Sequence, residues 1–360
     1  MADLTLRQLL EDMVQRKASD LHITAGVPPE LRIDGAITAT EYEVLSPEKC
    51  AALAYSVLSD EQRKRFETTK ELDFSFGVKG LSRFRANTFL QRGVVSMAIR
   101  QIPYEILAMD KLGLPPVVRE FTNRQKGMIL VTGPTGSGKS TTLAAMLDKI
   151  NATRQSHIMT IEDPIEYIHH HKKCIVNQRE IGADTASFPT ALKYVLRQDP
   201  DIILIGEMRD LETIEAALTI AETGHLVFAT LHTNSTYEAV NRIVDVFPAD
   251  QQKQILTQLA FTLEGVMTQQ LVPRSRGAGR IMCAEVLVCT PAIKAVIREG
   301  KIHQIYSLMQ AGQKFGMQTM NQALLQAVLD KHLTAEDAID RSTDRVELEG
   351  MLQKVLRAAA

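Results

Sequence analysis

The pattern with the clearest chemical meaning is a glycine-rich segment at residues 133–140, which follows the Walker A spacing Gly-x4-Gly-Lys-Ser. In such a segment the backbone N–H groups turn inward around phosphate oxygens, and the N-terminus of the following helix adds positive potential. Lys139 can reach the β- and γ-phosphates of a nucleotide, and Ser140 can hold Mg²⁺. The predicted nucleotide-binding residues are Gly133, Pro134, Thr135, Gly136, Ser137, Gly138, Lys139, Ser140 and Thr141.

A glycine-rich turn that arose by coincidence is the alternative interpretation of this segment. The motif requires a strand before the loop and a helix after it. An apolar run at 128–131 precedes the loop, and apolar residues recur at helical spacing along 141–150. Both conditions are met, so the pattern favours nucleotide binding.

Residues 160–166 place three carboxylates close together after another apolar run: Glu162, Asp163 and Glu166. In a purely structural turn these carboxylates would repel one another. In a hydrolytic site Mg²⁺ would supply the counter-charge, and an attacking water would need a carboxylate to activate it. A solvated acidic turn is the alternative. We predict that the three carboxylates belong to a hydrolytic site.

Two further segments have the same arrangement of polar residues beside an apolar run. Residues 201–207 resemble a Walker B motif but carry Gly206 where many ATPases have an aspartate, so Glu207 is predicted to approach Mg²⁺ alone or through water. His225 and His232 flank the apolar run at 226–231, and their ring N–H groups are predicted to sense the γ-phosphate. A structural histidine at a strand end is the alternative for each.

The elements that must position these residues are apolar runs separated by helix-periodic stretches. Such runs are typical of strands buried on both faces of a parallel sheet, and a doubly wound α/β domain binds ligands at the carboxyl ends of its strands. Ser235 and Glu238 stand at capping-box spacing and mark one helix start. The predicted strands are residues 128–131, 157–161, 202–205 and 226–231.

The chain before this domain has a different texture, with a helix-periodic stretch at 4–14 followed by short alternating runs. We predict a small α+β domain over residues 1–100 and a linker over 101–116, where Pro103, Gly113, Pro115 and Pro116 interrupt long elements. The ATPase domain is predicted to cover 117–360, with a helical region from about 290.

Composition restricts the function classes. The chain has 360 residues, 45% hydrophobic and 23% charged, which is typical of globular domains rather than of disorder. A net charge of −2, 5% aromatic residues and no tryptophan argue against a nucleic-acid partner. The four cysteines lack metal-ligand spacing, and no apolar stretch approaches the ~20 residues that span a bilayer. We predict a cytoplasmic protein.

These segments occur in the order and spacing typical of the type II/IV secretion ATPase superfamily. The chain resembles that superfamily over essentially its whole length. Within the superfamily it resembles the type IV pilus retraction motors. The resemblance implies a RecA-like ATPase core after an N-terminal PAS-like domain, whose motifs match residues 18–23 and Arg32-Ile33-Asp34-Gly35. It also implies that Glu166 is the leading candidate to activate the water, with Glu162 and Asp163 supporting the Mg²⁺ shell, although the residue types alone do not rank the three carboxylates.

The same resemblance implies a homohexamer in which arginines of the N-terminal domain complete a neighbour's site. Arg83, Arg85, Arg92 and Arg100 lie in the matching region, and Arg85 and Arg100 fit the family pattern best. A guanidinium supplied by a neighbour neutralises charge that develops on the transferred phosphoryl group. An exposed strand face is the alternative for each arginine.

The implied output is type IV pilus retraction and twitching motility, through an inner-membrane platform protein at the cytoplasmic face of the membrane. Assembly-type relatives carry an extra N-terminal domain and a four-cysteine zinc module, and this chain shows neither pattern. Residues 292–297 correspond to a retraction-associated motif but depart from it at Lys294, Ala295 and Val296. The alternatives are an accessory retraction ATPase, another secretion motor, a nucleic-acid translocase and a nucleotide sensor that does not hydrolyse ATP.

Overall fold

A computed structural model describes residues 4–33, 35–102, 105–277 and 279–359, with side chains as far as Val355. Asp34 and Pro103, which the sequence analysis used, lie outside the described residues. The chain divides into two compact units. The first comprises Met1–Glu105 with Glu166–Ile168, and the second comprises Ile106–Ile165 with His169–Ala360.

In its described residues, the first unit is a six-stranded antiparallel sheet with three helices. Its sheet order is β3-β2-β1-β6-β5-β4. Its helices are α1 (Leu6–Gln15), α2 (Pro47–Tyr55) and α3 (Asp60–Thr69). Its strands are β1 (Asp20–Ile23), β2 (Glu30–Ile33), β3 (Ala36–Ala39), β4 (Glu71–Val78), β5 (Ser82–Gln91) and β6 (Val94–Ile102), so that the sheet ends two residues beyond position 100.

One face of this sheet is buried under α1, whose apolar residues recur at helical spacing. Leu10 and Met13 of α1 share a hydrophobic core with Phe84 of β5 and Ile99 of β6. Side chains alternate along β5, so Phe84 is buried and its neighbour Arg85 is exposed. The outer face of the sheet is therefore where the arginines of β5 lie.

The second unit contains a seven-stranded sheet in the order β13-β12-β7-β11-β10-β8-β9. All neighbouring strands are parallel except the pair β12 and β13, which is antiparallel. The strands are β7 (Gly127–Thr132), β8 (His157–Glu162), β9 (Ile175–Glu180), β10 (Ile202–Ile205), β11 (Leu226–Leu231), β12 (Leu263–Pro273) and β13 (Arg280–Val288). The four runs predicted as strands correspond to β7, β8, β10 and β11.

Eleven α-helices belong to the described part of this unit. They are α4 (Val117–Asn123), α5 (Lys139–Thr153), α6 (Phe188–Val195), α7 (Leu211–Glu222), α8 (Thr236–Asp245), α9 (Ala249–Thr262), α10 (Pro291–Arg298), α11 (Ile305–Ala311), α12 (Met320–Leu329), α13 (Ala335–Arg341) and α14 (Arg345–Ala359). Across the described ranges, none of the helices is both long enough and apolar enough to cross a bilayer.

Helices cover both faces of the sheet, and consecutive residues of β7 serve different cores. Met128 and Leu130 pack into the core formed with α6 to α11, whereas Ile129 and Val131 pack into the core formed with α4 and α5. This is why β7 reads as a continuous apolar run. The last three helices pack in a separate cluster with Val272 of β12 and Cys283 of β13.

The start of α8 lies where the capping-box spacing predicts it, but only half of the box is present. The Ser235 side chain accepts a hydrogen bond from the Glu238 backbone N–H. The Glu238 carboxylate accepts from the Asn234 N–H at 3.2 Å instead of the Ser235 N–H. The polar loop before α8 is thus tied to the first turn of the helix.

Candidate nucleotide-binding site

The carboxyl ends of four parallel strands meet at one edge of the second sheet. Thr132 at the end of β7 pairs with Leu231 of β11, Ala229 of β11 pairs with Ile205 of β10, and Ile205 pairs with Ile161 of β8. This register places the glycine-rich loop, Glu162, Glu207 and His232 along the same edge. It is the edge where doubly wound sheets hold their ligands.

Strand β12 forms the wall against which the glycine-rich loop is packed. A Cβ on Gly133, whose φ is +137°, would lie 2.3 Å from the Gln269 backbone oxygen. A Cβ on Gly138, whose φ is +90°, would lie 3.1 Å from Gln269 Nε2. Gly136 at the tip faces open space. The first and last glycines are therefore required by close packing as well as by backbone conformation.

Lys139 is the first residue of α5, and its side chain lies along the loop. Its Nζ donates to the carbonyl oxygens of Gly133 at 2.8 Å and Pro134 at 3.1 Å. Burial lowers the pKa of Lys139, and the negative charge of Glu207 partly opposes this shift. A buried cation at the base of the loop is suited to receive phosphate oxygens. Ser140, next along the helix, is exposed to the same edge.

Glu207 follows β10 and lies beside Arg209 and His232. Its Oε1 accepts from Arg209 Nε at 2.6 Å and lies 3.3 Å from His232 Nε2. Burial alone would raise the pKa of Glu207, but Arg209, His232 and Lys139 together outweigh that effect and lower it. Glu207 is therefore held as a carboxylate beside the loop.

Glu162 ends β8 and is buried at 7% exposure. Its Oε1 accepts from Thr160 Oγ1 at 2.6 Å and from Gln178 Nε2 at 3.3 Å. A Cβ on Gly206 would lie 3.2 Å from the Cα atom and 3.6 Å from the Cγ atom of Glu162. Glu162 thus crowds the position where the side chain of a Walker B aspartate at 206 would begin.

The other two carboxylates of the acidic segment lie in different surroundings. Asp163 is exposed, and its charge contributes to a raised pKa of Arg209, after the larger effects of the hydrogen bond and charge of Glu207. Glu166 is also exposed, and it belongs to the first unit, whereas Glu162 and Asp163 belong to the second. The second unit alone therefore brings together Glu162, Asp163 and Glu207 with the loop.

The two histidines lie at opposite ends of β11, which corrects the prediction for His225. His232 follows the carboxyl end and contacts Glu207. His225 precedes the amino end, where its backbone oxygen accepts from Gly127 N–H at 3.0 Å and its Nδ1 lies 3.2 Å from the Ile220 oxygen. Since β11 has 6 residues at ~3.3 Å each, His225 is about 20 Å from the phosphate edge of its own chain.

The predicted arginines lie in the first unit, and the structure places two of them side by side. Arg85 of β5 and Arg100 of β6 are directly opposite each other in the register. Arg100 Nε pairs with Asp20 Oδ1 at 2.7 Å but remains 67% exposed. Arg83 donates to Ser75 Oγ at 2.6 Å, and Arg92 lies in the β5–β6 turn with φ +52°. The outer sheet face thus presents adjacent guanidinium groups.

Sequence reasoning missed two residues at this edge. Arg209 lies only two positions after Glu207, and a cation so close to a strand-end carboxylate was a usable signal. Gln269 is 130 positions beyond Lys139 on a strand that was not predicted, and no sequence pattern marked it. Its Nε2 donates to the Ser137 carbonyl oxygen at 2.6 Å.

Comparison with known proteins agrees with this geometry. The profile of the type II/IV secretion system protein family matches residues 2–341. The chain is 48% identical to the type IV pilus retractation ATPase PilT of Pseudomonas aeruginosa over 342 residues, which covers 95% of this chain and 97% of that protein. It is 42% identical to the type IV pilus ATPase PilU of the same organism, covering 97% and 92%.

A solved structure supports the same relationship at the level of the fold. The crystal structure of the pilus retraction motor PilT with bound ADP superposes with a TM-score of 0.91 at 52% identity, covering 96% of this chain and 99% of that one. The predicted fold class, an α/β ATPase core with a smaller N-terminal α+β domain, is confirmed, as is the predicted family resemblance.

Proposed function

The chain belongs to the type II/IV secretion system protein family, and from that membership and the geometry of the loop we propose that it is an ATPase that powers type IV pilus retraction. The main support for the proposal is the arrangement of residues at one edge of the second sheet. There a Walker A loop with a buried Lys139 faces Glu207, which its cationic neighbours keep ionised. This arrangement supplies both a grip on a triphosphate and a carboxylate beside it.

Phosphate binding is assigned to the loop residues 133–141. Backbone N–H groups and Lys139 hold the phosphates, because the loop and the start of α5 concentrate positive potential at this point. The exposed hydroxyl of Ser140 and the carboxylates of Glu162, Asp163 and Glu207 are hard oxygen donors of the kind that Mg²⁺ prefers. When bound, Mg²⁺ would neutralise phosphate charge. Glu207 would approach it directly or through water.

Water activation is assigned to Glu166, with Glu162 and Asp163 supporting the metal side of the site. His232 lies 3.3 Å from Glu207 and is placed to report the state of the γ-phosphate to that carboxylate. Arg85 and Arg100 are assigned to the nucleotide of a neighbouring subunit. Their exposure on the outer sheet face supports this role, since a guanidinium acting on another chain must be accessible.

We assign residues 1–100 to the PAS-like domain, 101–116 to the linker and 117–360 to the RecA-like domain. The working form is a homohexamer at the cytoplasmic face of the inner membrane. Its membrane association is indirect, through the pilus platform protein that it acts on. Cyclic closure and reopening of ATP-filled interfaces would move that partner and disassemble the pilus.

A biochemical experiment tests the hydrolytic part. Purified wild-type chain should hydrolyse ATP and bind ADP. Glu207→Gln should reduce turnover by a factor of ~100 or more while ADP binding persists, and Lys139→Ala should lose both. Absence of turnover in wild type under conditions where ADP binds would identify a nucleotide sensor instead.

A genetic experiment tests the biological output. Deletion of the gene should leave surplus surface pili and abolish twitching motility, because assembly continues without disassembly. Cells without pili would contradict retraction. An accessory retraction ATPase is the second candidate, since the chain is also 42% identical to a second type IV pilus ATPase of the same organism. Deletion would then leave motility largely intact in the presence of a primary motor.

A further inference from the structure

The amide side chain of Gln269 lies beneath the phosphate loop and contacts it directly. Gln269 is in β12, beside β7, and is only 1% exposed. Its Nε2 donates to the Ser137 carbonyl oxygen at 2.6 Å. Its Oε1 is buried and has no hydrogen-bond partner in the part of the chain that the structure describes. The single donated bond therefore fixes which way the amide faces.

This bond determines the orientation of one peptide group in the loop. The peptide between Ser137 and Gly138 is planar and trans, so its C=O and N–H point in opposite directions. Because the Ser137 C=O points at Gln269, the Gly138 N–H points away from β12. We take this side of the loop, away from β12, as the side that receives phosphate; a Cβ on Gly136 at the loop tip would meet no atom within 4 Å.

The chemical character of the side chain suits this position. A lysine would add a mobile cation that phosphate would attract, and an ionised glutamate could not donate to a carbonyl and would repel phosphate. A neutral amide donates without changing the local charge. The close approach of Gln269 leaves no room for a Cβ at Gly133 and little room for one at Gly138.

We propose that Gln269 is a positioning residue for the nucleotide: it holds the Ser137–Gly138 peptide so that the Gly138 N–H is presented to phosphate before the nucleotide arrives. The inference rests on the proposed ATP binding at this loop. Gln269 acts through the backbone of the loop and does not touch the phosphates itself.

The experiment compares Gln269→Met with Thr268→Val. Met matches the shape of glutamine but cannot donate a hydrogen bond. Thr268 is the adjacent residue of β12, also buried, and its hydroxyl lies 2.6 Å from that of Thr132 in β7. Each variant removes one buried hydrogen bond made by a side chain of β12: that of Thr268 is to Thr132 of β7, and that of Gln269 is to Ser137 of the loop. Only Q269M releases the Ser137–Gly138 peptide.

Titration with ADP and ATPase kinetics provide the readouts. Q269M should weaken ADP affinity about tenfold and raise the KM for ATP by a similar factor, with kcat changed less than about twofold, because preorganised binding acts on ground and transition states alike. T268V should bind ADP as wild type does. Unchanged affinity in Q269M, or equal loss in both variants, overturns the proposal.

Gln269→Glu supplies a second test that does not depend on how well Q269M folds. A buried carboxyl group can donate to the Ser137 oxygen only when it is protonated. Relative to wild type at each pH, Q269E should therefore bind ADP more weakly at pH 8 than at pH 5.5. A deficit that does not change with pH counts against the proposal. If wild type itself binds no nucleotide, the proposed function fails and this assignment fails with it, whereas wild-type binding with unchanged affinity in Q269M overturns this assignment alone.

Discussion

Gly206 shows how a departure from a common motif can be explained by one neighbouring residue. The Glu162 backbone and side chain approach the position where a Cβ of residue 206 would lie, at 3.2 Å and 3.6 Å. The contact with the backbone is tight and that with the side chain is an ordinary van der Waals contact, and an aspartate there would add a second negative charge beside Glu162. The acidic group at this point of the sheet therefore comes from β8 rather than from β10.

Restoring the usual aspartate should damage the protein. Gly206→Asp should lower the free energy of unfolding by about 1–3 kcal/mol through overpacking and should reduce ATPase activity more than tenfold. Gly206→Ala adds the same Cβ without the charge and should have a smaller effect on both. Chemical denaturation and turnover assays check this. Wild-type activity in G206D would show that Glu162 does not occupy the required space.

The cations around Glu207 lead to a prediction about pH. Arg209 lowers the pKa of Glu207, so its removal should raise that pKa and move the acidic limb of the kcat/KM profile to higher pH. Arg209→Met should show this shift, and Arg209→Lys, which keeps the charge, should show a smaller one. Profiles that coincide for wild type and R209M would mean that Glu207 does not control the acidic limb.

Residue types and spacing were sufficient to single out the loop, Glu162 and Glu207, which the structure brings to one edge of the sheet, because each lies directly after an apolar run in the sequence. They were insufficient for Gln269, whose role depends on a strand that lies next to β7 only in the fold. His225 was predictable in principle: in a parallel strand, a residue before the first position lies at the edge away from the ligand.

Helices α8 and α12 share one buried carboxylate. Glu285 of β13, 2% exposed, accepts from the Thr236 N–H at 2.7 Å and the Thr236 hydroxyl at 2.8 Å through Oε1, and from the Met320 N–H at 3.2 Å through Oε2. Thr236 and Met320 are the first residues of their helices. Glu285 thus joins the helix that follows the His232 loop to the C-terminal helices.

Removal of this carboxylate should lower the stability of the fold. Glu285→Ala should lower the free energy of unfolding by at least about 2 kcal/mol, because buried donors at two helix starts lose their acceptor. Urea unfolding checks the loss, with Glu349→Gln on the exposed part of α14 as the control. An E285A chain as stable as the control would show that water replaces the carboxylate without cost.

The same residue should make stability depend on pH. Burial raises the pKa of Glu285 above its ordinary value of 4.5, despite the hydrogen bonds that favour the charged form. A raised pKa gives a stabilisation that is complete below the ordinary value and is lost as pH rises through the native one. Wild type should therefore lose stability relative to Glu285→Gln as pH increases above 4.5. A difference that stays constant with pH would contradict this.

Element prediction succeeded where an apolar run had clear boundaries and failed where it did not. Strands β7, β8, β10 and β11 are short buried runs bounded by polar residues. Strand β12 was missed because Leu263 follows α9 directly, with no glycine or proline between the helix and the strand. Strand β9 was missed because its exposed and polar residues, Ile-Val-Asn-Gln-Arg-Glu, give little apolar signal.

At the scale of the assembly, the proposed arginine role requires two chains at each site. A chain carrying Arg85→Ala and a chain carrying Lys139→Ala should each be inactive. When mixed equally in one ring, about a quarter of interfaces would combine an intact loop with an intact arginine, and activity should return in proportion. Mixed rings without activity would place Arg85 outside the neighbour's site.

The overall charge also leads to a prediction. A net charge of −2 gives little attraction for a polyanion. Single-stranded DNA should therefore leave ATPase turnover unchanged at physiological salt. Stimulation of several-fold that is lost as salt increases would favour a nucleic-acid translocase instead.

The alternation along β7 limits which substitutions this strand can tolerate. Leu130 and Val131 are adjacent, yet each belongs to a different apolar layer, and both precede the phosphate loop by at most three positions. A smaller side chain in either layer would disturb the packing beneath the same loop. We therefore expect a change of side-chain volume in one layer to be compensated by a second substitution within that layer. The two layers would then vary as separate sets of residues, although both must keep the phosphate loop in place.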